Sequence, residues 1–276
     1  MANPVNERAR LLSNDPVGPR LYLMRLETPI IAKTTRPGQF VHLQIPAADA
    51  HILRRPFCVY ARDAEAGTID VLYQVVGEGT RLLAKATPAV VDATGGMSVL
   101  GPLGNSWAAV DEAQSGSGLH VLLVGGGVGA APLYLLSEDL IDAGCAVDVV
   151  LGAQTEDALV TRERFAALLG REPACATDDG SYGRPGFCTT LSQEALDAGC
   201  SVDGAPFDRV CVCGPDPLMK IVAAQAHAAH VPCEVSTERR MACGIGACLS
   251  CVVETTDGLK RSCADGPIFD AEKVVW

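Results

Sequence analysis

The residues best suited to chemistry are four cysteines near the C-terminus. They read Cys243-Gly-Ile-Gly-Ala-Cys248-Leu-Ser-Cys251, with Cys263 following after eleven more residues. Three thiols on one short loop, joined by a fourth that the chain brings back, can surround one small inorganic centre. The spacing C-x4-C-x2-C…C is that of a plant-type [2Fe–2S] cluster. Gly244 and Gly246 suit such a loop, because glycine takes the positive-φ turns that aim backbone N–H groups at sulfur. A structural zinc site ordinarily presents two C-x2-C pairs, and only one is present here. A [2Fe–2S] centre passes one electron at a time, so the rest of the chain is expected to supply a donor and an acceptor.

The bulk properties agree with a soluble redox protein. The chain has 276 residues, 48% of them apolar, enough for two packed domains and a small appendage. Its net charge of −11 disfavours nucleic acid and anionic membranes as partners. Eight further cysteines (Cys58, Cys145, Cys175, Cys188, Cys200, Cys211, Cys213 and Cys233) are scattered in mostly apolar surroundings. Free buried thiols imply a reducing compartment, so a cytoplasmic location is expected. The stretch Met1 to Asp15 lacks the apolar region of a signal peptide. The uncharged run Leu119 to Leu136 contains four glycines and Pro132, which fits a strand, a turn and a helix start better than a membrane span.

Elements that would position a redox centre follow from the patterning. Up to about Gly104 short alternating strands are predicted at Arg20–Leu26, Phe40–Ile45, Pro56–Ala61 and Ile69–Val76, which suggests a small antiparallel β-barrel. Two features there suit a phosphate. Arg54-Arg55-Pro56-Phe57-Cys58 places a planar guanidinium fork beside a stiff strand. Gly77-Glu78-Gly79-Thr80 opens a short helix, where Thr80 can cap the helix, bind a phosphate oxygen, or do both. Read without context, the first is more often an ordinary solvated arginine pair, and the second is equally a capped turn. Gly101 to Asn105 reads as a turn closing this domain, and Asp111 to Gly118 as a linker.

From Leu119 strands and helices alternate, and the strands are apolar on both faces. A doubly wound sheet of about five parallel strands is predicted, with ligands beyond the carboxyl ends of its strands. Gly125-Gly126-Gly127-Val128-Gly129 follows the first strand, but Ala130 stands where the dinucleotide fingerprint wants a third glycine, and Gln154 where it wants an acid. Cys213-Gly214-Pro215 ends the fourth strand, with Cys213 either facing the crevice or simply packed. Thr177 to Ser181 can receive a ribose or form a turn. His227 and His230 lack a third metal ligand nearby, and no Ser/His/Asp triad or hydrolytic carboxylate pair is visible. The expected domains are residues 1–108, 119–236 and 237–276.

These motifs, taken in chain order, resemble the ferredoxin–NADP reductase superfamily. Within it the chain is similar to the family of electron-transfer subunits of two-subunit dihydroorotate dehydrogenases. The likeness covers almost the whole chain, most specifically Thr177 to Gly183, Glu238 to Cys248 and Cys263 to Phe269. It implies that Arg55, Pro56, Phe57 and Cys58 line FAD, with Arg55 on the pyrophosphate. Leu72, Tyr73 and Gln74 would flank the flavin groove, and Gly79 and Thr80 would hold phosphate. Gly125, Gly127, Val128, Gly129, Cys213, Gly214 and Pro215 would receive NAD(H), with Cys213 near the nicotinamide. Cys243, Cys248, Cys251 and Cys263 would bind the cluster. The family usually carries Ser or Thr where this chain has Cys58, and a thiol is the weaker hydrogen-bond partner.

The activity so implied belongs to pyrimidine biosynthesis. Electrons from dihydroorotate would pass from the FMN of a separate catalytic subunit through the cluster and FAD to NAD⁺. A heterotetramer with two copies of each subunit is expected. Two rivals share parts of the sequence pattern. One is a self-standing NAD(P)H reductase serving ferredoxin or an oxygenase. The other is a non-catalytic module that binds flavin or zinc.

Overall fold

Alternation of buried and exposed side chains makes Val5–Gly18 a strand, β1, in which Ala9 and Leu11 point inward and Arg8 and Arg10 outward. In this computed structural model residues 3–46, 52–116 and 118–276 are described. The chain continues through β2 (Leu21–Glu27), α1 (Pro29–Thr34), β3 (Phe40–Leu43), β4 (Arg55–Cys58), β5 (Ala61–Asp63), β6 (Thr68–Gln74), α2 (Glu78–Leu83), α3 (Pro88–Ala93) and β7 (Met97–Leu103). The strands form one antiparallel sheet in the order β4-β3-β7-β1-β2-β6-β5. The sheet curls because β4 and β5 are nearly continuous. Val59 N–H bonds to the Gln39 carbonyl, whereas Tyr60 N–H bonds to the Asp70 carbonyl of β6. One extended segment therefore changes partner between two residues and joins the two edges of the sheet. β1 and β7 were not among the predicted strands. The positions expected to form only a closing turn are partly the end of β7, with the turn following at Gly104.

The second half comprises α4 (Ala108–Gln114), β8 (His120–Gly126), α5 (Ala131–Asp142), β9 (Ala146–Ala153), α6 (Arg162–Leu169), β10 (Ala174–Thr177), β11 (Arg184–Pro185), α7 (Thr189–Ala198), β12 (Arg209–Cys213), α8 (Asp216–Ala228) and β13 (Cys233–Ser236). After these come β14 (Val252–Thr255), β15 (Gly258–Arg261) and β16 (Ile268–Asp270). The five predicted strands run parallel in the order β10-β9-β8-β12-β13. The two-residue β11 extends one edge and the antiparallel β16 the other. The central strand β8 shows why both faces must be covered. Val121 and Leu123 pack toward α5, and Leu122 and Val124 toward α8.

The expected linker is a correction. Residues 108–114 form α4, and residue 117 of that stretch lies outside the described residues. The reason is tertiary. The buried Glu234 carboxylate on β13 accepts the N–H groups of Ala108 and Ala109 at 2.9 and 3.3 Å. Arg209 on β12 pairs with Glu112 of the same helix. A polar stretch that reads as loop is thus capped and held by residues about a hundred positions away.

Barrel and nucleotide sheet share a core. Tyr60, Ala61 and Leu72 belong to the same buried cluster as Trp107, Leu123 and Tyr134. Arg62 grips Asp139 with two bonds of 2.9 and 3.0 Å. Arg164 of α6 stacks 4.7 Å from the Tyr60 ring centroid and 4.5 Å from that of Tyr134. The cleft between the two halves is therefore pinned by packing as well as by charge.

Candidate functional site

The cysteine loop is built around two glycines in the left-handed region, Gly244 at φ +72° and Gly246 at φ +82°. These turns point backbone N–H groups inward. Gly246 N–H lies 3.1 Å from Cys263 Sγ, and Ile245 N–H lies 3.5 Å from Cys243 Sγ. The β14–β15 hairpin returns the chain so that Cys263 meets the loop. Cys251 and Cys263 are buried, Cys243 is half-buried and Cys248 is exposed, and none is in a disulfide. Hydrogen bonds from Ser250 pull the Cys248 thiol down to about 6, and burial pushes the Cys263 thiol up to about 12. Two buried soft donors with backbone N–H groups aimed at sulfur fit an iron–sulfur centre. Arg261 fastens the loop by donating to the Gly246 carbonyl at 3.3 Å while holding Asp265 with a fork of 2.8 Å bonds.

The two barrel features meet in space. A Cβ placed on Gly79 would lie 3.1 Å from both Nε and Nη2 of Arg55, so the guanidinium lies over the start of α2. The Thr80 hydroxyl is fully occupied. It accepts from the N–H groups of Val76 and Gly77 at 2.9 and 3.1 Å and donates to the Gly77 carbonyl at 3.1 Å. Thr80 is a cap, and Arg55 donates Nη1 to the Leu53 carbonyl at 2.6 Å while its Nε and Nη2 edge lies over Gly79, where it can meet an anion. The pairing of β6 sorts Leu72, Tyr73 and Gln74 by face. Tyr73 points into the barrel, donates to Asn14 at 2.9 Å and stacks on Tyr22. Leu72 and Gln74 share the opposite face, with Leu72 in the core between the halves and Gln74 exposed.

At the carboxyl ends of β8 and β12 the glycines do two different jobs. A Cβ on Gly129 would sit 2.7 Å from Gly214 Cα and 2.8 Å from the Cys213 carbonyl oxygen, and one on Gly126 would sit 3.1 Å from Pro215. The two loops touch backbone to backbone only because those side chains are absent. Gly127, at φ +57° with nothing within 4 Å, faces open space at the mouth of the same crevice. The Thr177–Ser181 segment is a self-bonded turn, in which the Asp179 carboxylate accepts from the Ser181 N–H and hydroxyl. His227 pairs with Glu272 at 3.0 Å on the surface.

Barrel, crevice and cysteine loop converge. Cys58 ends β4, and Cys213 ends β12 beside Ser236 of β13. Burial pushes the Cys58 thiol up to about 12, and the Glu238 carboxylate adds to the shift. Cys213 is raised further by burial, then by Cys58, so it stays a neutral thiol. On the other side of Cys58, Cys251 and Cys263 pack in one apolar cluster with Phe40 and Leu103, against which Cys58 and Met241 also rest.

Residues 238–275 match the family described as the iron–sulfur cluster binding domain of dihydroorotate dehydrogenase B. Residues 123–224 match the oxidoreductase NAD-binding domain. The chain is 36% identical over 272 residues to the electron transfer subunit of dihydroorotate dehydrogenase B (NAD⁺) of Bacillus caldolyticus, covering 98% of each chain. It is 37% identical to that of Bacillus velezensis, covering 95% of this chain and 96% of the relative. The chain belongs to the family of dihydroorotate dehydrogenase B electron-transfer subunits. Among solved structures it resembles one from work on NADH-dependent reduced ferredoxin–NADP oxidoreductase, with a TM-score of 0.80, 29% identity, and coverage of 98% of this chain and 90% of that one. An Amycolatopsis cytochrome P450 reductase shares the fold at a TM-score of 0.66 and 20% identity, with 83% of this chain and 67% of that one covered.

In this electron-transfer subunit several residues of the site carried no readable signal. Phe40 and Leu103 cover the buried cysteines from strands far away in sequence. Asn105 holds the C-terminal segment by donating to the Ile268 carbonyl at 2.8 Å and accepting its N–H at 3.0 Å. The loop contact also yields a prediction. Gly129→Ala should wedge the glycine loop away from Gly214, since forced overpacking costs about 1–3 kcal/mol. The KM for the pyridine nucleotide is expected to rise roughly ten-fold, with flavin and iron content unchanged. A variant with wild-type KM would show that the loop contact does not shape the nucleotide site.

Proposed function

We propose that this chain works as the electron-transfer subunit of an NAD-dependent dihydroorotate dehydrogenase, in pyrimidine biosynthesis, beside a catalytic subunit that carries FMN. The observation that carries this reading is the apolar cluster that packs Cys251 and Cys263 against Phe40, Leu103 and Cys58. It places the cysteine loop directly on the barrel strand that holds Arg55 to Cys58. When bound, FAD exchanges a hydride with the nicotinamide and single electrons with the cluster.

The side chains then have separate tasks. Arg55 over Gly79 would hold the FAD pyrophosphate, and Pro56, Phe57 and Cys58 would form the wall of the flavin groove. Leu72 and Gln74 would flank it, with Tyr73 supporting it from inside the barrel. Gly125, Gly127, Val128 and Gly129 would receive the NAD(H) phosphates, and Gly214 and Pro215 would close the crevice. Cys213, a neutral thiol, would touch the nicotinamide as a packing surface and not as a base. Cys243, Cys248, Cys251 and Cys263 would be the four cluster ligands. Phe40 and Leu103 keep water from the buried pair.

The catalytic subunit is proposed to dock over the cysteine loop. Ile245 and Leu249 are 57% and 61% exposed there, beside the exposed Cys248. Two such pairs would make the heterotetramer. Among the described residues no helix is long and apolar enough to cross a membrane.

Co-production with the neighbouring reading frames, followed by iron, flavin and subunit analysis, tests the reading. A stable complex holding iron, FAD and FMN that reduces NAD⁺ with dihydroorotate is expected. A colourless protein carrying zinc would sink it, and so would an uncomplexed chain that reduces ferredoxin and takes no partner.

A further inference from the structure

His42 is fully buried on β3, opposite Pro56 of β4 and Leu100 of β7. Its carbonyl accepts from Arg54 at 3.2 Å, yet neither ring nitrogen has a hydrogen-bond partner. The ring lies beneath the cysteine loop. A Cβ on Gly244 would fall 2.6 Å from Nδ1 and 3.1 Å from Cε1, so only glycine lets the loop settle there. Leaving a buried polar group unpaired costs about 1–3 kcal/mol, which calls for a partner. Burial disfavours the charged form of an imidazole, so the ring is neutral and keeps one N–H to donate.

Of the loop's sulfurs, that of Cys243 belongs to the residue next to Gly244, which rests on the ring. Cys263 Sγ accepts the Gly246 N–H at 3.1 Å and Cys243 Sγ the Ile245 N–H at 3.5 Å, and a thiolate sulfur has lone pairs for a second donor. The Cys243 carbonyl also lies near the ring, outside hydrogen-bond geometry, so the ring and Cys243 are neighbours. We propose that His42 is a positioning residue for the iron–sulfur centre, its ring N–H donating to the Cys243 sulfur in the loaded protein. The bond ties the loop to the strand that carries Pro56 and Cys58. A donor facing sulfur stabilises the reduced, more negative cluster, so His42 raises the cluster's reduction potential. The inference rests on the cluster reading given above.

The test uses the holoenzyme complex and an EPR-monitored redox titration, with iron release to a chelator as a second readout. His42→Leu should shift the cluster to a lower potential and speed iron release about ten-fold, the equivalent of one hydrogen bond. His42→Asn, which keeps an N–H, should recover part of both, and the flavin spectrum should not change. A loaded His42→Leu complex with wild-type potential and release rate would overturn the role of His42 alone. Should that variant fail to load, wild-type complex labelled with [15N]histidine decides by pulsed EPR. Coupling of one imidazole nitrogen to the reduced cluster supports the bond, and no coupling overturns it. Wild-type protein devoid of iron would overturn the cluster reading, and this proposal with it.

Discussion

Cys263→Ala is expected to empty the protein of iron and to abolish dihydroorotate-dependent NAD⁺ reduction, while FAD stays bound. Cys263 is 2% exposed and receives the Gly246 N–H, so its loss removes the one thiol that the return of the chain supplies. Three remaining thiols on one loop leave an iron–sulfur centre open to water and without its fourth ligand. Small metal-bound segments usually depend on their metal to fold, and residues 243–251 contain no helix or strand of their own. The damage should nevertheless stop short of the whole C-terminal segment. β16 pairs with β13, Thr237 N–H bonds to the Pro267 carbonyl, and Asn105 clasps Ile268. The expected result is a yellow protein with an FAD spectrum, iron at background, and NADH oxidation by small dyes preserved. Gel filtration should show the catalytic subunit released, because the loop that would carry its docking face has lost its shape. A variant that loses iron yet keeps the complex would confine the cluster to electron transfer and remove it from assembly.

Arg55→Ala is expected to weaken FAD binding by roughly 10- to 150-fold, the loss of one charge-assisted hydrogen-bonding group. Arg55→Lys should recover only part, since a point charge cannot reproduce the planar fork. Flavin released on ultrafiltration, followed by fluorescence, measures both. The neighbouring Arg54 supplies the contrast. Its guanidinium donates to the Ser98 carbonyl at 2.9 Å and to the Ser98 hydroxyl at 2.8 Å, sewing β4 to β7. Arg54→Ala should lower the melting temperature more than it lowers FAD affinity. Equal flavin loss in both variants would mean that Arg55 acts through the barrel and not on the cofactor.

The adjacent arginines show where the sequence stops being legible. Both are equally good phosphate ligands as residue types, and only the barrel seam, which takes up Arg54, separates them. Thr80 is a similar case, because a hydroxyl after a glycine turn fits either capping or phosphate, and the Val76, Gly77 and Thr80 geometry assigns it to capping. The linker expected at residues 111–118 failed for the same reason, since Glu234 and Arg209 reach α4 from strands far along the chain.

Spacing and local pattern determined the rest. The four cysteines and two glycines identify an iron–sulfur loop, because metal ligation and positive φ leave few other residue types and intervals that work. β12 ends at Cys213 as expected, because a strand buried on both faces must be a short uninterrupted apolar run. The tertiary structure alone decided what lies between those motifs. Phe40, Leu103 and Cys58 cover the buried cysteines, Gly129 lies against Gly214, and His42 comes to rest beneath Gly244. Such contacts join residues up to some two hundred positions apart, and they form only when the barrel has closed and the C-terminal segment has added its strand to the sheet.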